Sequence, residues 1–115
     1  IRVIYLAAAV SNCWMLPGQC HEMAPSQVDR MLISINPCDP AMKYFHFSTH
    51  RSYRTRYCRP VALGGYGIAN LAMIGALADR VEQMDVCCQV GREHILYNYL
   101  AVDRLMRRAW ELASF

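Results

Sequence analysis

Between residues 40 and 78 the chain has no aspartate or glutamate. This absence excludes a solvated face of mixed charge there, because Lys43, Arg51, Arg54, Arg56 and Arg59 have no local acid to offset them. Lysine is scarce too: of the 12 lysine and arginine residues only Lys43 is a lysine. Arginine suits buried pairs, phosphates and interfaces better than lysine, because its planar fork is weakly hydrated. Charged residues make up 18% of the chain, below a norm of about 25%, while apolar residues reach 55%, above about 45–50%. That balance excludes disorder along the whole chain. A length of 115 residues leaves no room for a second domain, so one domain is expected over 1–115, with an extended half at 1–59 and a helical half at 60–115.

Catalytic signatures are also missing. There is no G-x-S-x-G elbow, no H-E-x-x-H helix, and no lysine or serine placed to make a phosphate loop of Gly64, Gly65 and Gly67. Catalysis is therefore not expected from sequence neighbours. A formal charge of +3 is mild for a strong nucleic-acid binder.

What is present begins with the acid-free stretch, whose halves differ. Residues 43–59 interleave the five cations with Tyr44, Phe45, Phe47, Tyr53 and Tyr57, and aromatic and basic residues alternate with period two. That spacing predicts an extended strand with one aromatic and one basic face. Arg51, Arg54, Arg56 and Arg59 are its candidate contacts to an anion or to nucleic acid, since arginines track phosphates while rings stack on bases. Cys38, His46, His50 and Cys58 stand as C-x7-H-x3-H-x7-C, a mixed sulfur and nitrogen set of the kind that holds zinc, though without the close cysteine pairs of common zinc sites. No cofactor is expected apart from zinc at this set. The six cysteines otherwise allow 15 disulfide pairings or a role as small buried hydrophobes.

Residues 60–78 carry no formal charge. As a helix they would extend roughly 28 Å, close to the apolar thickness of a bilayer. Gly65, Ala69, Ala72 and Ala76 then form a stripe of small residues suited to close helix packing. Asn70, Leu71, Ala72, Met73, Ile74 and Gly75 resemble part of a pigment-binding helix of the light-harvesting chlorophyll proteins. The resemblance covers six residues, implies Asn70 as a pigment ligand, and lacks that family's paired glutamate and arginine.

Elsewhere, Ser26 and Asp29 form a capping box, and Val28, Met31, Leu32 and Ile35 share a helical face, which predicts a short helix near 26–35. Residues 1–10 fit a strand or a helix; Arg2 and the Ala7-x-Ala9 pattern also match a targeting remnant, but a retained structural element is expected. Ile95, Tyr99, Val102, Met106, Ala109 and Ala113 step by four and three. The expected fold is mainly α with a short extended segment, ending in an antiparallel helical hairpin (about 67–88 and 92–113) joined near Gly91.

The function expected from these features is a non-catalytic accessory subunit of a larger assembly. It would act through helix packing and a basic aromatic surface, with other protein subunits as partners. An organellar membrane, mitochondrial or plastid, is the expected setting, and nucleic acid is the lesser partner class. The alternative is a soluble small α+β domain, binding a ligand or nucleic acid or acting as a small enzyme. Its site would lie on 44–58, with His46, His50, Arg54 and Arg56 on the functional face.

Overall fold

Three short runs of mostly apolar residues build a parallel sheet. The computed structural model describes residues 1–18, 22–44 and 61–114. Strands β1 (Arg2–Tyr5), β2 (Arg30–Ile35) and β3 (Val81–Asp85) lie in the order β1-β2-β3. Arg2 pairs with Arg30 and Tyr5 with Ile33, while Met31 pairs with Val81 and Ile35 with Asp85. Met31, Leu32, Ile33 and Ser34 in β2 are all buried, because a central parallel strand is covered on both faces.

Those two faces organise the rest of the chain. Met31 and Ile33 belong to a core with Cys13, Leu16, Val28, Leu63, Ile68 and Ile74, all from the two connections between strands. Leu32 belongs to a second core with Val86, Val90, Tyr99, Val102, Leu105 and Leu112, all from the chain after β3. Strands in sequential order joined by crossovers of one hand put both connections on the same side. The opposite side is left to the C-terminal segment.

Among the described residues the connections hold three one-turn helices, α1 (Ala24–Gln27), α2 (Pro40–Lys43) and α3 (Leu63–Tyr66), and a 3-10 segment, Leu71–Arg80. After β3 come α4 (Cys87–Val90), α5 (Leu96–Leu100) and α6 (Asp103–Ala113). Helix α6 buries Leu105, Ala109 and Leu112. Its outer side is fastened to the sheet by Arg108, whose Nε lies 2.6 Å from Glu82 on β3 and whose second nitrogen lies 3.0 Å from Glu111.

This mixed α/β sheet overturns the mainly helical expectation. Residues 26–35 contain the end of α1 and the whole of β2, not a helix. A strand buried on both faces is apolar at consecutive positions, so its residues also satisfied the helical template; the unbroken run Met31, Leu32, Ile33 was the strand signal. The helical hairpin is absent as well. Its first arm ends within the 3-10 segment, which breaks at Gly75 (φ 62°, ψ −134°), and Val81–Asp85 is the edge strand β3. Its second arm divides at Ala101 and Val102 into α5 and α6. Asn70 takes a left-handed conformation (φ 44°), so residues 70–75 are not a pigment-binding α-helix. No helix of the described residues is long and apolar enough to cross a membrane. The strand expected over 44–57 lies, apart from Tyr44, outside the described residues.

Candidate functional site

The carboxyl ends of β2 and β3 converge on a buried polar network. Asn36 follows β2 directly, and Pro37 and Pro40 stop the strand by removing backbone donors. Asn36 Oδ1 accepts from the Cys38 amide at 3.1 Å, folding the loop back on itself. Asp39 then caps α2: its Oδ1 accepts from the Ala41 amide at 2.9 Å, with Pro40 as first helical residue. A capping aspartate ordinarily faces water. This one has no exposed surface.

Its second oxygen explains the burial. Asp39 Oδ2 accepts the Tyr99 hydroxyl at 3.0 Å and meets His94 Nδ1 at 2.6 Å. Asn36 Nδ2 donates to the Tyr99 oxygen at 3.2 Å and to the Gly91 carbonyl at 2.8 Å. Among the described residues no buried side-chain nitrogen or oxygen lacks a partner. Burial, the largest cause, pushes the Tyr99 phenol up to about 12; the neighbouring Asp39 adds to the rise and the Asn36 hydrogen bond opposes it. Tyr99 therefore keeps its proton and donates it to Asp39 at neutral pH.

An aspartate carboxylate only accepts, so His94 Nδ1 is the donor, and the neutral ring carries its lone pair on Nε2. The His94 side chain is 47% exposed, and Nε2 has no hydrogen-bond partner among the described residues. The geometry is that of an imidazole oriented from behind by a buried carboxylate and open in front.

Backbone chemistry sets these loops in place. A disulfide joins Cys38 to Cys87, with Cα atoms 5.6 Å apart, linking the loop after β2 to the start of α4. The Val86 amide donates to the Ile35 carbonyl at 2.8 Å. Gly91 ends α4 in a left-handed conformation (φ 68°), which turns the chain toward His94. Gly64 lets α3 approach the end of β1: an added Cβ would sit 2.7 Å from the Ala7 carbonyl carbon. The Asn36 amide donates to the Gly64 carbonyl at 2.8 Å. Ala7 itself is left-handed (φ 48°), a conformation that costs a non-glycine residue roughly 1–2 kcal/mol.

The residues expected from sequence are distributed differently. Arg51, Arg54, Arg56, Arg59, His46, His50 and Cys58 lie outside the described residues. Cys38 is in the disulfide, so its sulfur is not a free thiolate ligand. No group of three or more His, Cys, Asp or Glu among the described residues is placed to hold a metal ion. Of the packing stripe, Gly65 is buried in α3 against Met42, Ala69 is half-buried, and Ala72 and Ala76 are exposed on the 3-10 segment. These four do not share one helix.

Asn36, Asp39, His94 and Tyr99 were missed as a site. Of the four, the sequence pattern singles out Tyr99 alone, as a member of the C-terminal stripe. The usable signal was Asn-Pro and Asp-Pro after an apolar run, which marks the carboxyl end of a buried strand. Nothing in the spacing joins Asp39 to His94, 55 residues apart.

Comparison with protein-family models, curated proteins and solved structures yields no match to this chain.

Proposed function

We propose that this chain is a small α/β domain that binds a small polar molecule at the carboxyl edge of its sheet and exchanges a proton with it through His94. The observation that carries this reading is the His94–Asp39 pair, with the carboxylate wholly buried and the ring half exposed. In parallel α/β sheets ligands sit outside the carboxyl ends of the strands. An imidazole whose Nδ1–H is held by a carboxylate takes up a proton at Nε2 as a general base, and the carboxylate stabilises the imidazolium that forms. Tyr99 and Asn36 keep Asp39 aimed at the ring. The reading develops the small-domain alternative and moves its site away from 44–58.

The test is a panel of nucleosides, sugar phosphates and small carboxylic acids, read by thermal shift and by the ring resonances of His94. A ligand that raises Tm and shifts those resonances, with both effects lost in His94→Ala, is the expected result. A panel in which no compound moves the His94 resonances counts against the reading.

A second reading, the accessory subunit, is favoured by one observation. Ile95, Leu96, Tyr97 and Leu100 are exposed around α5, and Tyr97 is 75% accessible. A protein partner would cover this stretch.

A further inference from the structure

We infer that the groove beside the His94–Asp39 pair holds a phosphate group of the bound molecule, gripped by Lys43 and Arg92. This rests on reading the carboxyl edge as the ligand site. The groove encloses about 270 Å³ and is lined by Pro37, Cys38, Pro40, Lys43, Tyr44 and Arg92. Pockets for drug-sized ligands run from about 300 to 1,000 Å³, so this space suits a phosphate with a short attached group.

Its charge is one-sided. Among the described lining residues Lys43 and Arg92 are the charged ones, with no carboxylate among them. Other arginines of the described surface are engaged: Arg104 donates to the Asp85 carbonyl at 2.6 Å, Arg107 pairs with Asp103 at 2.6 Å, and Arg80 donates to the Val28 carbonyl at 3.1 Å. Arg92 has no hydrogen bond or ion pair with a described residue, and the Lys43 ammonium rests 5.6 Å from the Tyr44 ring centre rather than on an acid. Of the neighbouring carboxylates, Asp39 is turned inward with its oxygens occupied by Ala41, Tyr99 and His94, and Glu93, next to Arg92, lies outside the groove lining and accepts from Asn98 Nδ2 at 2.5 Å. Two cations facing one groove without a counter-charge create a positive potential that an anion relieves.

Phosphate fits this pair better than a singly charged group. Its two charges match two cations, and the guanidinium fork engages two of its oxygens together. Position links the groove to the proton-transfer pair, because Cys38 and Pro40 flank Asp39, and Arg92 precedes His94 by two residues. A phosphate held there would leave the rest of the molecule within reach of the ring.

Amide NMR of the full chain titrated with inorganic phosphate tests this, with chloride at matched ionic strength as the control. Saturable shifts at Lys43, Tyr44 and Arg92 are expected, with affinity about tenfold weaker in Arg92→Gln and again in Lys43→Gln. Both glutamine variants replace exposed side chains, and unchanged spectral dispersion verifies their fold. Shifts that chloride reproduces, no saturable shift, or equal affinity in the double variant would overturn the inference. If phosphate binds at Arg92 while the metabolite panel fails at His94, only the proton-transfer reading falls. If panel ligands reach His94 and phosphate ignores Arg92, only the phosphate site falls.

Discussion

Tyr99 is the residue on which most of the buried network turns. Its hydroxyl accepts from Asn36 and donates to Asp39, so one group of α5 satisfies two side chains of the loop after β2. Because burial raises its phenol from an ordinary value of 10.0 to about 12, the unfolded chain loses this proton first as pH rises. The stabilisation is complete below about pH 10 and disappears as pH passes about 12, a loss of roughly 2–3 kcal/mol. Tyr99→Phe should remove that part of the alkaline decline. It should also cost about 1–2 kcal/mol at pH 8, because Asp39 and Asn36 each lose a partner. Urea unfolding of both proteins at pH 8 and pH 11 gives the two differences; an equal alkaline decline in both would contradict the assignment.

Among the elements, the loop after β2 and the start of α4 are joined covalently by the Cys38–Cys87 bond, beside the hydrogen bonds from Val86 to Ile35 and from Asn36 to Gly91. The bond spans 49 residues, and restricting a loop of that length in the unfolded chain stabilises the fold by about 4 kcal/mol in the chain-entropy account. Replacing both cysteines by serine should lower stability by about 2–4 kcal/mol, measured by chemical denaturation. If the bond also aligns the site, the His94 ring resonances will move in the variant. The elements differ in how far the sequence announced them. β1 was one of two alternatives for its segment, and α6 falls inside the expected second helical arm, but its buried residues are Leu105, Ala109 and Leu112, of which the stripe held only Ala109. β2 was misread because burial on both faces erases the alternation that identifies a half-exposed strand. β3, with Glu82 and Gln83 in its middle, has an ordinary helical composition. Gln83 earns its place through a distant contact, accepting the Ile68 amide at 2.7 Å. The site was the least legible part, since its members stand in two segments, 36–39 and 94–99, that only the fold brings together.

For the whole molecule, the C-terminal segment does two jobs with opposite faces. Inward, Tyr99, Val102, Leu105 and Leu112 close the second core. Outward, Ile95, Leu96, Tyr97, Leu100 and Trp110 remain accessible. Exposed apolar residues are ordinary when scattered, but a run around a five-residue helix is an adhesive surface. Association through it should appear in light scattering as a mass above 13.2 kDa that rises with concentration, and Leu96→Lys with Tyr97→Lys should return the mass to that of the single chain. A wild-type mass fixed at 13.2 kDa, with no partner retained from the native source, would remove the accessory-subunit reading and leave the ligand site untouched.

The bond between Cys38 and Cys87 reaches beyond the folded state. Asp39 is the residue after Cys38, and His94 follows Cys87 by seven positions. In an oxidised but unfolded chain the two partners are therefore tethered ends of a short linker rather than points 55 residues apart. Their effective concentration is then on the order of millimolar, so the loop that must close to bring the carboxylate to the imidazole is far shorter than in the reduced chain.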